Sequence, residues 1–576
     1  MIQRSHRSVH PRTISSRRPF RGRATTSKRV RAGRFSLPHV AILIVILAVA
    51  TVLRFAGIGW GDNHYLHPDE RYMTMVTIDT QWPSSIAQYF DSETSPLNPF
   101  NTIHSSYVYG TLPLFLAKLV GTITNDVVYG DAHLPGRWLS AVADVGVVAL
   151  GFWIARRLFS STAGLLAAAL LAFTPLHIQN AHYFTTDSVS TFFAVAVFAA
   201  VLRAWDRKSW RWYVIAGLCV GFATASKPNL LVTAGFLAIP VLESIRLRGW
   251  RSLRPPWRWR SSSRRDAIRF PVVLGVAVSA IAAALAFRVA QPYAFAGPNF
   301  WDVRLDQRWT DNLEYWRQVQ SGVIDVPPSI QWADRTPVVF IVDNLVRWGM
   351  GPALGIAALV SLAVVAWQMI ARRRWPSWWM LALVGCVLFH IVFYGTSLGK
   401  TQRYLLPAYP FMIALVAGQL TALSSRAGGL GRRPRLPTNL TRISWLSSPG
   451  RFRLGTVVTA LVIAGTMFSG VALTTIYLKP HSRVVASEWM YENIPAGSVI
   501  SSEHWDDGLP ITLSDDSNAG QYVGVQLALY DADTDAKLAR LIGQLHRVDY
   551  IILSSDRLIE SIPRMPDRYP MTSAYY

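Results

Sequence analysis

Residues 272–290 read VVLGVAVSAIAAALAFRVA, with Arg288 as the lone charge in the run. A hydrocarbon core of ~30 Å is crossed by about 20 such residues in a helix, and a water-soluble core needs no run that long. The same pattern recurs at 40–53, 189–202 and 457–478. Spans are expected near 38–58, 137–155, 162–179, 187–204, 211–225, 229–245, 270–290, 351–371, 378–396, 404–423 and 455–478. The expected fold is therefore an all-α polytopic membrane protein with about 11 spans, roughly 11 to 13 being admissible. Segment 107–124 is apolar but carries Gly110, Pro113 and Lys118. A crossing there would invert every later loop, so it is read as a membrane-surface or re-entrant helix.

The chain of 576 residues is 51% apolar and carries a formal charge of +23. A basic surface attracts phosphate of any origin, but the position of the charges argues against nucleic acid. Lys and Arg gather at 4–34, 246–269 and 426–453, each beside an apolar run, which is the positive-inside pattern of cytoplasmic loops. The N-terminus is thus expected in the cytoplasm and the chain in the plasma membrane. The polar tail before the first span is too long for a signal peptide and suggests an uncleaved start-transfer helix. Cys219 and Cys386 lie inside apolar runs, where a thiol packs as a small hydrophobe.

Three regions follow: a basic tail over 1–37, expected to be disordered; a membrane domain over 38–478, with outer loops at 59–136 and 291–337; and an extracytoplasmic α/β domain over 479–576. In the last, 498–502 and 550–554 read as strands and 535–545 as a helix. Neither a P-loop nor a G-x-G-x-x-G turn occurs, and no cytoplasmic segment is long enough for a nucleotide-binding domain.

The outer side collects the ionisable residues. His67-Pro68-Asp69-Glu70 follows the first span. Either carboxylate suits a general base, and both equally suit the first turn of a helix. Asp187, at the mouth of a span after His182 and Tyr183, reads as a second acidic group or an N-cap. Lys227 and Arg137 stand at span ends, where cations also cap or snorkel. Lys400, Gln402, Arg403 and Tyr404 form a basic step on the outer side, against the positive-inside bias, so an anionic partner such as phosphate is expected. His64, His67 and the paired carboxylates offer ligands to a divalent ion, but no second set with reliable spacing accompanies them. Ionisable groups converging at one depth imply a wet chamber, to which Tyr293 also belongs by topology. Trp301, Trp309, Trp316 and Trp332 suit an interfacial belt.

These marks resemble the GT-C glycosyltransferases that use lipid-linked sugars, near the protein O-mannosyltransferase and aminoarabinose transferase group. The resemblance rests on His67-Pro68-Asp69-Glu70, Gly136-Arg137-Trp138-Leu139-Ser140, 182–187, Gln291-Pro292-Tyr293 and Arg403-Tyr404-Leu405-Leu406-Pro407. It implies inverting transfer of a sugar from a polyprenyl phosphate to a lipid, glycan or protein acceptor outside the cytoplasm. By the resemblance Asp69 is the base, with Glu70 beside it, and Asp187 orients substrate. Arg403, Lys400, Arg137 and Lys227 stabilise the lipid phosphate, while His67, His182, Tyr183, Tyr293, Gln402 and Tyr404 line the cavity. The loop at 291–337 is too short for the MIR-type insert of protein O-mannosyltransferases, which puts a protein acceptor in question. A transporter or flippase of an amphipathic lipid is the rival reading, but such folds tend to show repeated halves and a midplane site, and no repeat is visible.

Overall fold

The computed structural model describes residues 37–126, 130–249, 272–372, 376–425, 450–513 and 517–576. The basic tail and most of the Arg-rich linkers at 246–269 and 426–453 lie outside the described residues.

The chain is a bundle of apolar helices. α1 (Leu37–Phe55) enters the bundle; α2 (Pro68–Asp79) and α3 (Thr111–Thr124) follow in the first loop. Then come α4 (Leu134–Leu158), α5 (Ser161–Ala172), α6 (Pro175–Ala181), α7 (Asp187–Arg207) and α8 (Trp210–Ser226). A 3-10 stretch, Pro228–Ala238, continues into α9 (Ile239–Arg248), and α10 (Val272–Ala290) leads to the second loop with α11 (Gln307–Ser321). α12 (Pro352–Arg372) and α13 (Trp378–Thr396) precede a 3-10 turn, Gln402–Ala408, that opens α14 (Tyr409–Ser425); α15 (Gly450–Tyr477) closes the bundle.

All eleven expected spans are helical, but not all as single straight rods. Among the described residues nine helices are long and apolar enough to cross a membrane, and ten if α5 and α6 form one span bent by 58°. The bend falls at Phe173–Thr174, before Pro175, whose ring disfavours the α-region for its predecessor. The expected span 211–225 is α8, whose 17 residues reach about 25 Å at 1.5 Å per residue. α3 has 14 residues, about 21 Å and too short to cross upright. Its Lys118 is not exposed: the ammonium donates to the carbonyls of Thr77 (3.0 Å) and Thr80 (2.6 Å) at the end of α2, where the helix dipole favours a cation.

The largest apolar core lies among α4, α5, α7 and α14, with Phe198, Phe411 and Leu415 deep inside. Beyond α15, α16 (Ser482–Asn493) leads into a three-stranded parallel sheet of order β2-β1-β3, with β1 Val499–Glu503, β2 Val523–Leu527 and β3 Tyr550–Ile551. α17 (Asp535–Leu545) supplies the crossover between β2 and β3, as parallel pairing demands. β2 had no counterpart in the sequence reading, because Val523-Gly-Val-Gln-Leu527 is short and three of its five residues are exposed.

Candidate active site

Four helix ends meet at one end of the bundle. Asp69 stands on the first turn of α2 and Asp187 on that of α7; Lys227 follows α8; Arg403 sits in the 3-10 turn before α14. α2 starts there because His67 is its N-cap, Nδ1 accepting from the Glu70 amide at 3.4 Å, and Pro68 takes the position that needs no donor. The first loop comes close to α8 only because residue 110 is glycine: its amide donates to the Ser226 carbonyl at 3.2 Å, and a Cβ would collide with the Ala225 carbonyl.

The cluster is tightly paired. Arg403 donates to Asp69 Oδ2 and lies 3.9 Å from Asp187 Oδ2. Lys227 Nζ donates to Asp187 Oδ1 at 2.7 Å, and its ammonium rests 4.5 Å from the centre of the Tyr404 ring. Burial pushes the Asp69 carboxyl up, yet the Arg403 guanidinium, with His67 and Lys227, outweighs burial and holds it below the usual carboxylate range. Burial also holds the neighbouring His67 imidazole below its ordinary value. Asp187, Lys227, Tyr404 and Arg403 border a cavity of about 10 Å³, the room of roughly one water.

Lys400 differs from these cations. Its side chain is 7% exposed, its ammonium reaches only the Leu398 carbonyl at 3.5 Å, and among the described residues no carboxylate lies within ion-pair distance. Burial lowers its pKa. An unpaired buried cation is costly unless something anionic meets it.

Other expected site residues are placed differently. Glu70 and Arg137 form a bidentate pair, 2.7 Å on both arms, with neither side chain appreciably exposed. Glu70 Oε1 also accepts from the Phe184 amide at 2.8 Å, and Arg137 Nη1 donates to the carbonyls of Ile58 and Trp60. Phe184 reaches that position because its ring packs on Gly136, where a Cβ would collide with it. With their polar atoms so occupied, Glu70 and Arg137 secure α2 to α4, apart from the Asp69–Arg403 pair.

His182, Tyr183, Gln402 and Tyr293 are engaged by other groups of the protein. His182 stacks on Tyr477 at 3.8 Å and bridges the carbonyls of Ile178 and Ala56. Tyr183 lies between His67 and Trp60. Gln402 turns away from Arg403 to the Ile341 carbonyl, at 2.6 Å. Tyr293, 1% exposed, is paired with Ser95 at 2.7 Å and packs on Phe115, away from the acidic cluster. Depth along a loop is not legible from topology.

Three uncharged residues went unnoticed in the sequence. Asn229 donates to the Tyr394 hydroxyl at 2.6 Å, and both border the cavity. Burial, reinforced by the negative charge of Asp69, raises the Tyr109 phenol well above its ordinary value. Tyr109 and Asn229 stand next to Gly110 and Pro228, and that adjacency to the loop-closing residues was the available signal.

The fold is shared with known transferases. The oligosaccharyltransferase of Archaeoglobus fulgidus, tethered to an acceptor peptide with the NVT sequon, superposes with a TM-score of 0.53 over 94% of this chain and 72% of that one, at 14% identity. This chain has the GT-C fold. In the apo form of the same archaeal enzyme the match covers 82% of this chain and 63% of that one, at 15% identity and a TM-score of 0.48. In the apo-form match the GT-C chain thus spans less than two thirds of the archaeal enzyme's length. ArnT of Cupriavidus metallidurans, bound to undecaprenyl phosphate, matches over 91% of both chains at 15% identity and a TM-score of 0.48. The dolichyl-phosphate-mannose-protein mannosyltransferase family model matches residues 113–260 of the GT-C chain, a stretch that includes Arg137, Asp187 and Lys227. No curated protein matches its sequence. Among the described residues of the GT-C bundle, no group of three or more His, Cys, Asp or Glu side chains is placed to hold a metal ion.

Proposed function

We propose that this protein is a membrane glycosyltransferase that moves a sugar from a polyprenyl-phosphate donor to a hydroxyl-bearing acceptor with inversion at the anomeric carbon. The observation that carries the reading is the junction of Asp69, Arg403, Asp187 and Lys227 at one rim of the bundle, with Lys400 unpaired on the same segment as Arg403. Asp69 takes the proton of the acceptor hydroxyl as that oxygen attacks the anomeric carbon. The bond from that carbon to the phosphate oxygen breaks, and the lipid phosphate leaves with the electron pair. Charge gathers on the leaving phosphate in the transition state, so fixed cations lower the barrier. Lys400 and Arg403 fill this role, Lys227 holds Asp187 in place, and Asp187 orients the substrate.

The pairing of Arg403 with Asp69 sets an order of events. A donor phosphate competes with Asp69 for the guanidinium, and its arrival releases the carboxylate as a base. The family match, whose name includes dolichyl phosphate, and the relative bound to undecaprenyl phosphate agree with a lipid-phosphate donor. The rim would face away from the cytoplasm in the plasma membrane, as the distribution of Lys and Arg in the sequence favours. The charged cluster lies at one end of the helices and not at mid-depth, which favours transfer over transport.

The test is transfer by the purified protein in nanodiscs from a panel of undecaprenyl-phosphoryl hexoses and pentoses to envelope lipid and peptide acceptors. Transfer that disappears in Asp69→Asn supports the reading; an Asp69→Asn enzyme with full turnover removes the base, and inertness of the wild type toward the whole panel removes the activity. Labelling of a cysteine placed in α17 from the outside of intact cells checks the orientation, and labelling only after lysis reverses it.

A further inference from the structure

Asp69, Glu70 and Arg71 are consecutive on the first turn of α2, and each has a different partner. Asp69 faces Arg403, and Glu70 is held inward by Arg137. Arg71 faces the other way: its Nε donates to the Tyr65 carbonyl at 3.1 Å and its Nη2 to Asp507 Oδ1 at 2.8 Å. Asp507 lies in the turn after β1, in the C-terminal unit, and its second oxygen accepts from Arg483 at the start of α16. Trp60, whose carbonyl Arg137 holds, donates through its indole to the Lys479 carbonyl at 2.9 Å and packs on His481. The elbow between α15 and α16 and the turn after β1 therefore grip the first loop on both sides of Asp69.

We propose that Asp507, acting through Arg71, is a positioning residue for Asp69, so that the C-terminal α/β unit sets where the base stands. The inference rests on the reading of Asp69 as the base. The first turn of a helix has no intrahelical partners for its amides, so its place depends on side chains. Lys118 pins the far end of α2 and Glu70 pins the near end inward, and Arg71 with Asp507 ties the outward side of the first turn to the C-terminal unit. A displacement of about 1 Å at a reacting group lowers turnover by roughly a hundredfold. The Arg71–Asp507 pair is partly exposed, at 38% and 21% for the two side chains, and such pairs contribute little to global stability. Its loss should thus appear in catalysis and local motion, not in the melting temperature.

The experiment uses full-length protein in nanodiscs: wild type, Asp507→Ala, Asp507→Glu, Arg71→Ala, the double alanine variant and Arg568→Ala. The last removes a pair with Asp325 that joins the same unit to the second loop. Hydrogen exchange over residues 64–76 and transfer from undecaprenyl-phosphoryl hexoses are read together. In Asp507→Ala, exchange should quicken and kcat should fall about tenfold to a hundredfold with donor KM and melting temperature unchanged. Asp507→Glu should recover most of the loss, the double variant should be no worse than either single one, and Arg568→Ala should match wild type. Unchanged exchange and kcat in both Asp507→Ala and Arg71→Ala overturn the proposal, as does an equal loss in Arg568→Ala, which would mark general docking. If the wild type transfers from no donor, the functional reading fails, while the exchange measurements still decide whether Asp507 holds α2.

Discussion

Asp69 and Arg403 are separated by 334 positions in the chain and joined by a direct hydrogen bond between carboxylate and guanidinium. The bond brings the first loop onto the segment between α13 and α14, and it ties the proposed base to the proposed phosphate ligand. Arg403 keeps the Asp69 carboxyl below its ordinary range against the upward push of burial. If donor phosphate draws Arg403 away, the carboxyl becomes a stronger base in the complex. The acid limb of kcat, which reports the donor complex, should therefore lie at higher pH than that of kcat/KM, which reports the free enzyme. Coincident limbs would show that Arg403 does not change partners.

Replacing Asp69 by Asn keeps the shape of the side chain and removes its basicity. Turnover should fall by roughly 10²–10⁴-fold, the usual contribution of a general base. Binding of undecaprenyl phosphate should persist or tighten, since Arg403 no longer faces a competing charge; calorimetry on the variant is the check.

Lys400 invites the opposite pattern. Lys400→Met removes a buried cation that has no anionic partner among the described residues, so stability should hold or rise while donor KM climbs. A lower melting temperature with unchanged KM would make Lys400 a packing residue.

Glu70 and Arg137 present the case of a closed pair. Removing one partner of a buried ion pair costs about 3–5 kcal/mol, so Arg137→Ala should destabilise the protein strongly in a denaturation series. Burial pushes the Glu70 carboxyl up, but the Arg137 hydrogen bonds and charge, with the Phe184 amide, hold it below its ordinary value. A depressed carboxylate stabilises the fold above its unfolded pKa, and this contribution is lost as pH falls through the folded one.

His133, fully buried just before α4, is held neutral, its pKa brought down by burial to about 4 from 6.5. The unfolded chain takes up a proton in that window and the folded one does not. Stability should fall between pH 6.5 and 4 by up to about 1.4 kcal/mol per pH unit, and His133→Asn should flatten that slope in thermal melts.

The spans were legible because a hydrocarbon solvent leaves a long apolar signature, and Asp69, Asp187, Lys227 and Arg403 were legible because charges at span ends on one side are few. Residue type alone did not separate Asp69 from Glu70, since both are carboxylates at a helix start; the family resemblance pointed to Asp69, and the places of Arg137 and Arg403 give the two different partners. Tyr109, Asn229 and Tyr394 carry no charge and gave no periodic signal. Asp144 and His177 went unread although an ionisable group inside an apolar run is itself a pointer; they lay within runs already taken as spans.

Arg54, near the end of α1, is completely enclosed, with Nε on Asp144 of α4 at 2.6 Å and its other nitrogens on the carbonyls of Ala50, Leu171 and Ala172. His177 of α6 takes the other oxygen of Asp144 at 2.5 Å. An arginine in a lipid-facing helix is unfavourable by about 2.5–3.5 kcal/mol or more, and its counter-charge is synthesised 90 residues later. During biogenesis α1 is thus a provisional guest of the bilayer, settled only when α4 and the α5–α6 bend close around it, and the loop bearing Asp69 inherits its final anchorage from that late event.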